Sequence, residues 1–500
     1  MKNLAGKLQI ACEVFSDEAS LKAYSMDMSH YSIKPQMVAV PANEEDIAKL
    51  IAYAKQESIP ITPRGAGSNQ SGSAVGPGII VLFSKMNATV KRNGRRVRVQ
   101  SGVIHKVLDQ QLAADGLRIP YDPTSRGFCT IGGNVATKAS GLRSIKYGTV
   151  DSALRSLRFF DVAHGLIDTQ GGLPQAVEEA ISNLKKRFIN DKEAMSVLNA
   201  HGSLKSSSGY NLRSLIQYQE PNEIVTHLMA GSVGTLGVFS EVELEAVPVP
   251  KSQILYIIFF RSLTEATEDV KKLVTFKPSA VELMDSYGVD LLRKTNEVNV
   301  PPDCKAVLFV ELDSDLEQTS TIISNHLKKK SLEFAVETDP KKQTALWTVR
   351  ESMLLWIMNS LETPRKRFPP FADDIAVPLQ QLPIFVAAVQ QILDSFGTIA
   401  VIYGHAGEGN LHIRPMINVE NWKENLRNLS NLIFDAALKA GGTITAEHGL
   451  GRNRSLYLRD EWGDKIYRYF SEVKMIFDPA GLLNPGVVFT CEDLTKNLKL

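Results

Sequence analysis

The amino-acid sequence predicts an α+β fold organised in two main units. Three observations carry this reading. Short apolar stretches alternate with amphipathic ones over the first hundred or so residues, as strands alternate with helices. Loops rich in glycine, serine and threonine interrupt the alternation, yet their pattern is too ordered for linkers. The prolines of "VPVPK" at 247–251 then set off a second run of strands and helices, and 500 residues suffice for two or three domains.

The elements follow in order. Residues 38–40 form a short strand. Asn43 suits a helix N-cap, with Asp46 three residues on, and Ile47, Leu50, Ile51 and Ala54 form a helical apolar stripe. Residues 59–62 are a strand, a glycine loop follows, and 79–83 is the next strand. The basic run from Lys91 to Arg98 reads as a charged hairpin surface. A helix at 104–115 precedes "PYDPTSRGFCTIGGNVATKASGLRSIKYGTV", and 172–200 is a polar helical insertion. Another glycine loop, "AGSVGTLGV", lies at 230–238. Beyond the boundary come the strand "ILYIIFF", a helix at 262–275, "AVELMD", the strand "AVLFVEL" and a helix at 314–330. From Gly441 the chain reads as mostly helix, ending in "FDPAGLLNPG".

Composition excludes several classes. Lys and Arg number 56 and Asp and Glu 55, which argues against a general nucleic-acid binder. Cys12, Cys129, Cys304 and Cys491 form no C-x-x-C, so neither a thiolate zinc site nor an iron–sulfur cluster is supported. The start lacks the apolar run of a signal peptide, and "ILYIIFF" is too short to span a bilayer. The chain reads as soluble and cytoplasmic, with peripheral contact at the inner face of a membrane left open.

"PRGAGSNQSG" at 63–72 invites a dinucleotide reading. A Rossmann loop needs a helix directly after the glycines and an acid about 20 residues on, whereas loop and strand follow here. A Walker A loop needs Gly-Lys-Ser/Thr, which is missing. Successive backbone N–H groups, with Ser68, Asn69 and Gln70, can still cradle a diphosphate; an ordinary turn is the alternative. The loop at 123–148 and "GSVGTLG" add two more backbone-rich surfaces, and three are hard to explain as turns alone.

In these motifs the chain resembles FAD-linked dehydrogenases of the vanillyl-alcohol oxidase/p-cresol methylhydroxylase superfamily. More closely, it resembles the D-2-hydroxyacid branch of D-lactate, glycolate and D-2-hydroxyglutarate dehydrogenases. The matches are "PRGAGSNQSG", "DPTSRGFCTIGGNVATKASGLRSIKYGT", "SSSGYNL", "GSVGTLGVFSEVELEAVP", "VELMD", "GHAGEGNLH", "GGTITAEHGLGR" and "FDPAGLLNPG", in family order. The resemblance implies an N-terminal arm at 1–34, a PCMH-type two-subdomain FAD-binding domain at 35–250 and an α+β substrate (cap) domain at 251–440. A segment at 441–500, with C-terminal helices returning to the flavin, would complete both sites. Arg64, Gly65, Ala66, Gly67, Ser68, Asn69 and Gly72 would hold the diphosphate. Pro123, Thr130, Gly132, Gly133, Ser140 and Gly141 would line the flavin and its phosphates, Gly234 to Val238 would meet the adenine and ribose, and Asn484 would close over the flavin. Relatives with covalent flavin often have His in the first loop, where this chain has Ser68-Asn69-Gln70, so non-covalent FAD is expected.

"YGHAGEGNLHIRP" at 403–415 reads as strand, glycine turn, strand, with His405 and His412 at the mouths of the turn. The two are either a satisfied structural pair or ligands of a divalent metal with a carboxylate as third ligand. The resemblance assigns His405, His412 and Glu447 to zinc, manganese or a similar ion. Asn410 would orient substrate or support the ligands, and Glu408 reads as a solvated turn acid. His448, beside Glu447, is the candidate base, and the planar fork of Arg350 in "WTVRES" suits a substrate carboxylate. Relatives accepting a second, distal carboxylate carry Lys where this chain has Ala372, with Arg365 and Arg367 as nearby substitutes.

The implied reaction is oxidation of a small D-2-hydroxy acid, with electrons passed to an external quinone, cytochrome or electron-transfer protein; a homodimer would be ordinary. The rival readings are an oxidase or synthase of the same superfamily, and a partner-dependent flavin subunit of an electron-transfer complex.

Overall fold

The computed structural model describes residues 12–202 and 204–500, so the first part of the expected N-terminal arm lies outside the described residues. The first sheet comprises β1 (Glu13–Phe15), β2 (Met37–Val40), β3 (Ile61–Arg64) and β4 (Ile79–Leu82), in the order β1-β2-β4-β3. β2 and β3 run parallel to β4, and β2 and β4 are buried along their length, as parallel strands covered on both faces are. Between β2 and β3 lies α1 (Glu44–Glu57). The Asn43 side chain accepts the Asp46 N–H at 3.0 Å, and Ile47, Leu50, Ile51 and Ala54 form its buried face. Ser58 ends α1 in the left-handed region, so the strand expected from 59 begins at Ile61.

The second sheet is antiparallel: β5 (Thr89–Asn93), β6 (Arg96–Gln100), β7 (Leu154–Asp161), β8 (Gly165–Asp168) and β9 (Val238–Glu245), in the order β5-β6-β9-β7-β8. The basic run is the β5–β6 hairpin. Arg92 pairs there with Asp115 at 2.6 Å and Arg95 with Glu245 at 3.1 Å, so surface acids answer its charge. Helices α2 (His105–Ala113) and α3 (Ile131–Thr137) follow the hairpin, and the polar insertion forms α4 (Gln175–Asn190) and α5 (Lys192–Ala200).

The third sheet has seven strands: β10 (Ile254–Phe260), β11 (Ala280–Met284), β12 (Ala306–Leu312), β13 (Phe334–Glu337), β14 (Ile375–Ala376), β15 (Ala400–Gly404) and β16 (Asn410–Pro415). Their order is β13-β10-β12-β11-β15-β16-β14. Helices α6 (Leu263–Val274), α7 (Pro340–Glu351), α8 (Leu382–Ser395) and α9 (Trp422–Lys439) cover it. Tyr256, Ile258 and Phe260 of β10 join the core under α6, α8 and α9, while Leu255, Ile257 and Phe259 join the core of α7. "ILYIIFF" is continuously apolar because both faces of β10 are covered. No described helix is long and apolar enough to cross a membrane.

After α9 the chain runs through loop and one short 3₁₀ turn to α10 (Leu458–Phe477), bent at Gly463. The expectation of mostly helix from Gly441 therefore holds only for that element; glycines and capped turns take the rest. The non-helical stretch after α10 reaches back to the first sheet. Ile61 N–H donates to Leu482 O at 2.8 Å, and Asn484 N–H donates to Ile61 O at 2.8 Å, extending the sheet past β3.

Candidate active site

One cavity lies where the glycine loops meet the hairpin β15–β16. Arg64, Gly65, Ala66, Gly67, Ser68, Asn69, Pro123, Thr130, Gly132, Gly133, Ser140, Gly141 and Gly234 line it, together with Arg350, His405, His412, Glu447 and His448. The loops approach closely at glycines, whose bare backbone takes the small side chains of Thr130 and Ser101. A Cβ on Gly65 would lie 2.2 Å from Thr130 Oγ1, and one on Gly132 would lie 2.6 Å from Ser101 Cβ. Thr130 also caps α3, its Oγ1 accepting from Gly133 N–H at 3.2 Å. A backbone cradle of this kind fits a phosphate-bearing cofactor. Arg64 braces its base, donating to Ala74 O at 3.0 Å and Met26 O at 2.9 Å.

Four expected site residues stand one layer behind the wall. Gly72 packs against the Tyr31 ring with φ +77, and Val238 is a core residue at the start of β9. Asn484 donates to Ser73 O at 2.7 Å and Val233 O at 2.8 Å, tying the loops together from the C-terminal stretch. Asn410 donates to Asp374 Oδ1 at 3.3 Å and Ile375 O at 3.2 Å.

The hairpin pairs Tyr403 with His412 and leaves His405 just past the end of β15. His405 Nδ1 meets Glu282 Oε1 at 2.7 Å and Nε2 meets Glu447 Oε1 at 2.8 Å, while His412 Nε2 lies 3.4 Å from the same Glu447 oxygen. Two ligands about 2.1 Å from one tetrahedral ion stand about 3.4 Å apart, so the His412–Glu447 spacing fits a shared divalent ion. Possible ligand atoms of Asp374, His412, Glu447 and His448 also lie within 4.8 Å of one another. Asp374 is already engaged, however, accepting from Ala446 N–H at 3.0 Å, Glu447 N–H at 3.1 Å, His448 N–H at 2.9 Å and the Thr445 hydroxyl at 2.7 Å. It shapes the loop that presents Glu447. His412 and Glu447 are the members common to both sets.

The electrostatics follow from burial and pairing. Burial pushes the His405 imidazole down, but Glu282 and Glu447 outweigh it and raise it to about 9. Burial pushes the Glu447 carboxyl up, and His405 and Lys205 overcome this, holding it well below the usual range. Burial lowers His412. His448 is also desolvated, yet Asp374 and Asp373 raise it; its Nδ1 lies 3.3 Å from Asp373 Oδ1, and its ring stacks on His412 with centroids 5.1 Å apart.

Arg350 is buried in the cavity wall, both Nε (2.9 Å) and an Nη (2.7 Å) resting on Glu282 Oε2, with its guanidinium 4.9 Å from the centroid of the Tyr403 ring. Arg414 lines the cavity as well, meeting Asp373 Oδ2 at 2.6 Å and Gln70. Arg365 and Arg367 do not line the cavity: Arg365 is exposed, and Arg367 hydrogen-bonds the Thr363 carbonyl.

Sequence reasoning overlooked Lys205, Glu282, Asp373, Asp374 and Arg414. The acids left a trace, since "FADDIAVP" and "AVELMD" bury charge in apolar surroundings; Lys205 left none. Glu408 is also not a solvated turn acid, because it holds Lys205 at 3.1 Å and the Ser144 hydroxyl.

Comparison with known proteins accords with this geometry. Residues 35–169 match the FAD binding domain, and residues 249–488 match the C-terminal domain of FAD linked oxidases. The chain is 27% identical over 492 residues to "Glycolate oxidase subunit GlcD" of Bacillus subtilis, covering 95% of this chain and 94% of that one. It is 28% identical over 478 residues to "D-lactate dehydrogenase" of Anaerostipes hadrus, covering 91% and 90%. It is 26% identical over 509 residues to "D-2-hydroxyglutarate dehydrogenase" of Escherichia coli, covering 94% of this chain and 50% of that protein. Among solved structures, an alkyldihydroxyacetonephosphate synthase superposes with a TM-score of 0.67 at 17% identity, covering 94% and 82%, a likeness of fold alone.

Proposed function

Because the chain belongs to the FAD-linked oxidases, we propose that it oxidises a D-2-hydroxy acid to the 2-oxo acid with non-covalent FAD and a divalent ion. The carrying observation is that one cavity joins the glycine cradle to His405, His412, Glu447, His448 and Arg350. Bound FAD supplies the acceptor for the C2 hydride. His405, His412 and Glu447 would hold a divalent ion, which would supply Lewis acidity to lower the pKa of the substrate hydroxyl.

The chain's own residues do the rest. Arg350 presents a planar cation to the substrate carboxylate and orients C2. His448 Nδ1 faces Asp373, which leaves Nε2 to take the hydroxyl proton as the hydride departs. A reduced flavin would pass its two electrons to an external acceptor such as a quinone, cytochrome or electron-transfer protein.

The test is anaerobic bleaching of the flavin band near about 450 nm, a property of the cofactor rather than the protein. D- and L-lactate, glycolate, D-2-hydroxyglutarate and D-malate are compared before and after EDTA. Bleaching by a D-acid, abolished by EDTA and restored by zinc or manganese, is expected. Bleaching that survives EDTA would make His405 and His412 structural, and a flavin that none of the acids bleaches would overturn the hydroxy-acid reading.

A further inference from the structure

Resting on the metal reading above, we propose that Lys205 is a built-in cation: it directs Glu447 toward a single metal ion and fills the place of a second. Lys205 lies between α5 and β9, its side chain 3% exposed. Its Nζ donates to Glu447 Oε2 at 2.8 Å, Glu408 Oε2 at 3.1 Å and Ser144 Oγ at 3.2 Å. An ammonium stripped of water persists only where carboxylates replace its hydration. Here the two carboxylates come from the two motifs that carry the candidate ligands.

The two oxygens of Glu447 are divided between two tasks. Oε1 faces His405 and His412, while Oε2 takes Lys205 and the Ser140 hydroxyl. Glu447 therefore offers one oxygen to an ion between the histidines, and its other oxygen is held from behind. Without the ammonium, Glu408 and Glu447 would be two buried carboxylates turned toward one cation-sized gap. Oxygen donors of that kind hold hard divalent ions, and paired ions about 3.5–4 Å apart make two-metal centres. Lys205 carries charge into that gap but offers no open coordination position, so it balances the acids while leaving a single Lewis-acidic ion.

Metal stoichiometry decides the matter without reference to turnover. FAD-loaded protein is stripped with EDTA, reloaded with zinc, desalted and measured by mass spectrometry for zinc per flavin. The wild type should hold one zinc per chain and Lys205→Ala two, with Lys205→Arg and the Lys205→Ala/Glu408→Gln double variant returning to one. If Lys205→Ala does not accumulate, Lys205→Gln removes the charge while keeping hydrogen bonds to both carboxylates. One zinc in both the wild type and the charge-removing variant would overturn the role of Lys205 and leave the metal reading standing. No zinc in the wild type would remove that reading and this proposal together.

Discussion

Replacing Asp374 tests how the candidate ligands are held. Its buried carboxylate accepts from Thr445 Oγ1 at 2.7 Å and from the N–H groups of Ala446, Glu447 and His448 at 3.0, 3.1 and 2.9 Å. A net value of about 1 kcal/mol per bond gives roughly 4 kcal/mol lost in Asp374→Ala, since the donors stay buried without a partner. The backbone sets a second term. Asp374 sits at φ +81, which costs a non-glycine residue roughly 1–2 kcal/mol. Alanine keeps that strain and glycine relieves it, so Asp374→Gly should be the more stable of the two by about that amount. Thermal unfolding followed by circular dichroism, with FAD in excess, should show a melting temperature lower by on the order of 4 °C for the alanine variant. Zinc content should fall in both, because Glu447 loses its loop. An alanine variant within about 1 kcal/mol of wild type, less than one such bond, or a glycine variant weaker than alanine, would refute this account of the loop.

Three further outcomes are expected. Asp374 and Asp373 raise the pKa of His448 despite burial, so in metal-stripped protein its imidazole should titrate above the ordinary histidine range when followed by NMR; a titration at or below that range would contradict the Asp373–His448 contact. His405 is raised to about 9 from an unfolded value of about 6.5, so its stabilisation is complete below about 6.5 and lost as pH rises through about 9. Metal-stripped protein should therefore lose melting temperature across that window, while zinc, which displaces the proton, should bind more tightly as pH rises; flat profiles would contradict the Glu282–His405–Glu447 arrangement. Gly132→Ala would place a methyl 2.6 Å from Ser101 Cβ and part the loops, so it should lower flavin occupancy, read as the 450 nm to 280 nm absorbance ratio (about those wavelengths for a bound flavin), and unchanged occupancy would remove this loop from the cofactor site.

Local signals were legible in the sequence and distant ones were not. The cap at Asn43 and the stripe from Ile47 to Ala54 describe α1 because a helix is specified by near neighbours. The hairpin β15–β16 was readable for the same reason, its turn marked by glycines between two alternating runs. Lys205 meets Glu447 across 242 positions, and nothing in "LKSSSGYNL" encodes that meeting. Arg365 and Arg367 looked suitable by proximity in sequence, yet the fold turns them away and brings in Arg414, whose partner Gln70 lies 344 positions earlier. The stretch from Gly441 was misread because its glycines make a loop that partners on distant segments, Asp374 and Ser207 among them, hold in shape.

The return of Leu482 to Asn484 onto β3 has a consequence for biosynthesis. Ile61 and its neighbours leave the ribosome early, but the strand-like partner that covers them is translated more than four hundred positions later. Until then the nascent chain carries an open sheet edge, a template for unwanted pairing that chaperones shield. The loops that Asn484 ties together, Ser73 and Val233 among them, also wait for it. Cofactor capture is thus a late event, and a stop codon ahead of position 482 should yield a colourless, aggregation-prone product even though every earlier segment is intact.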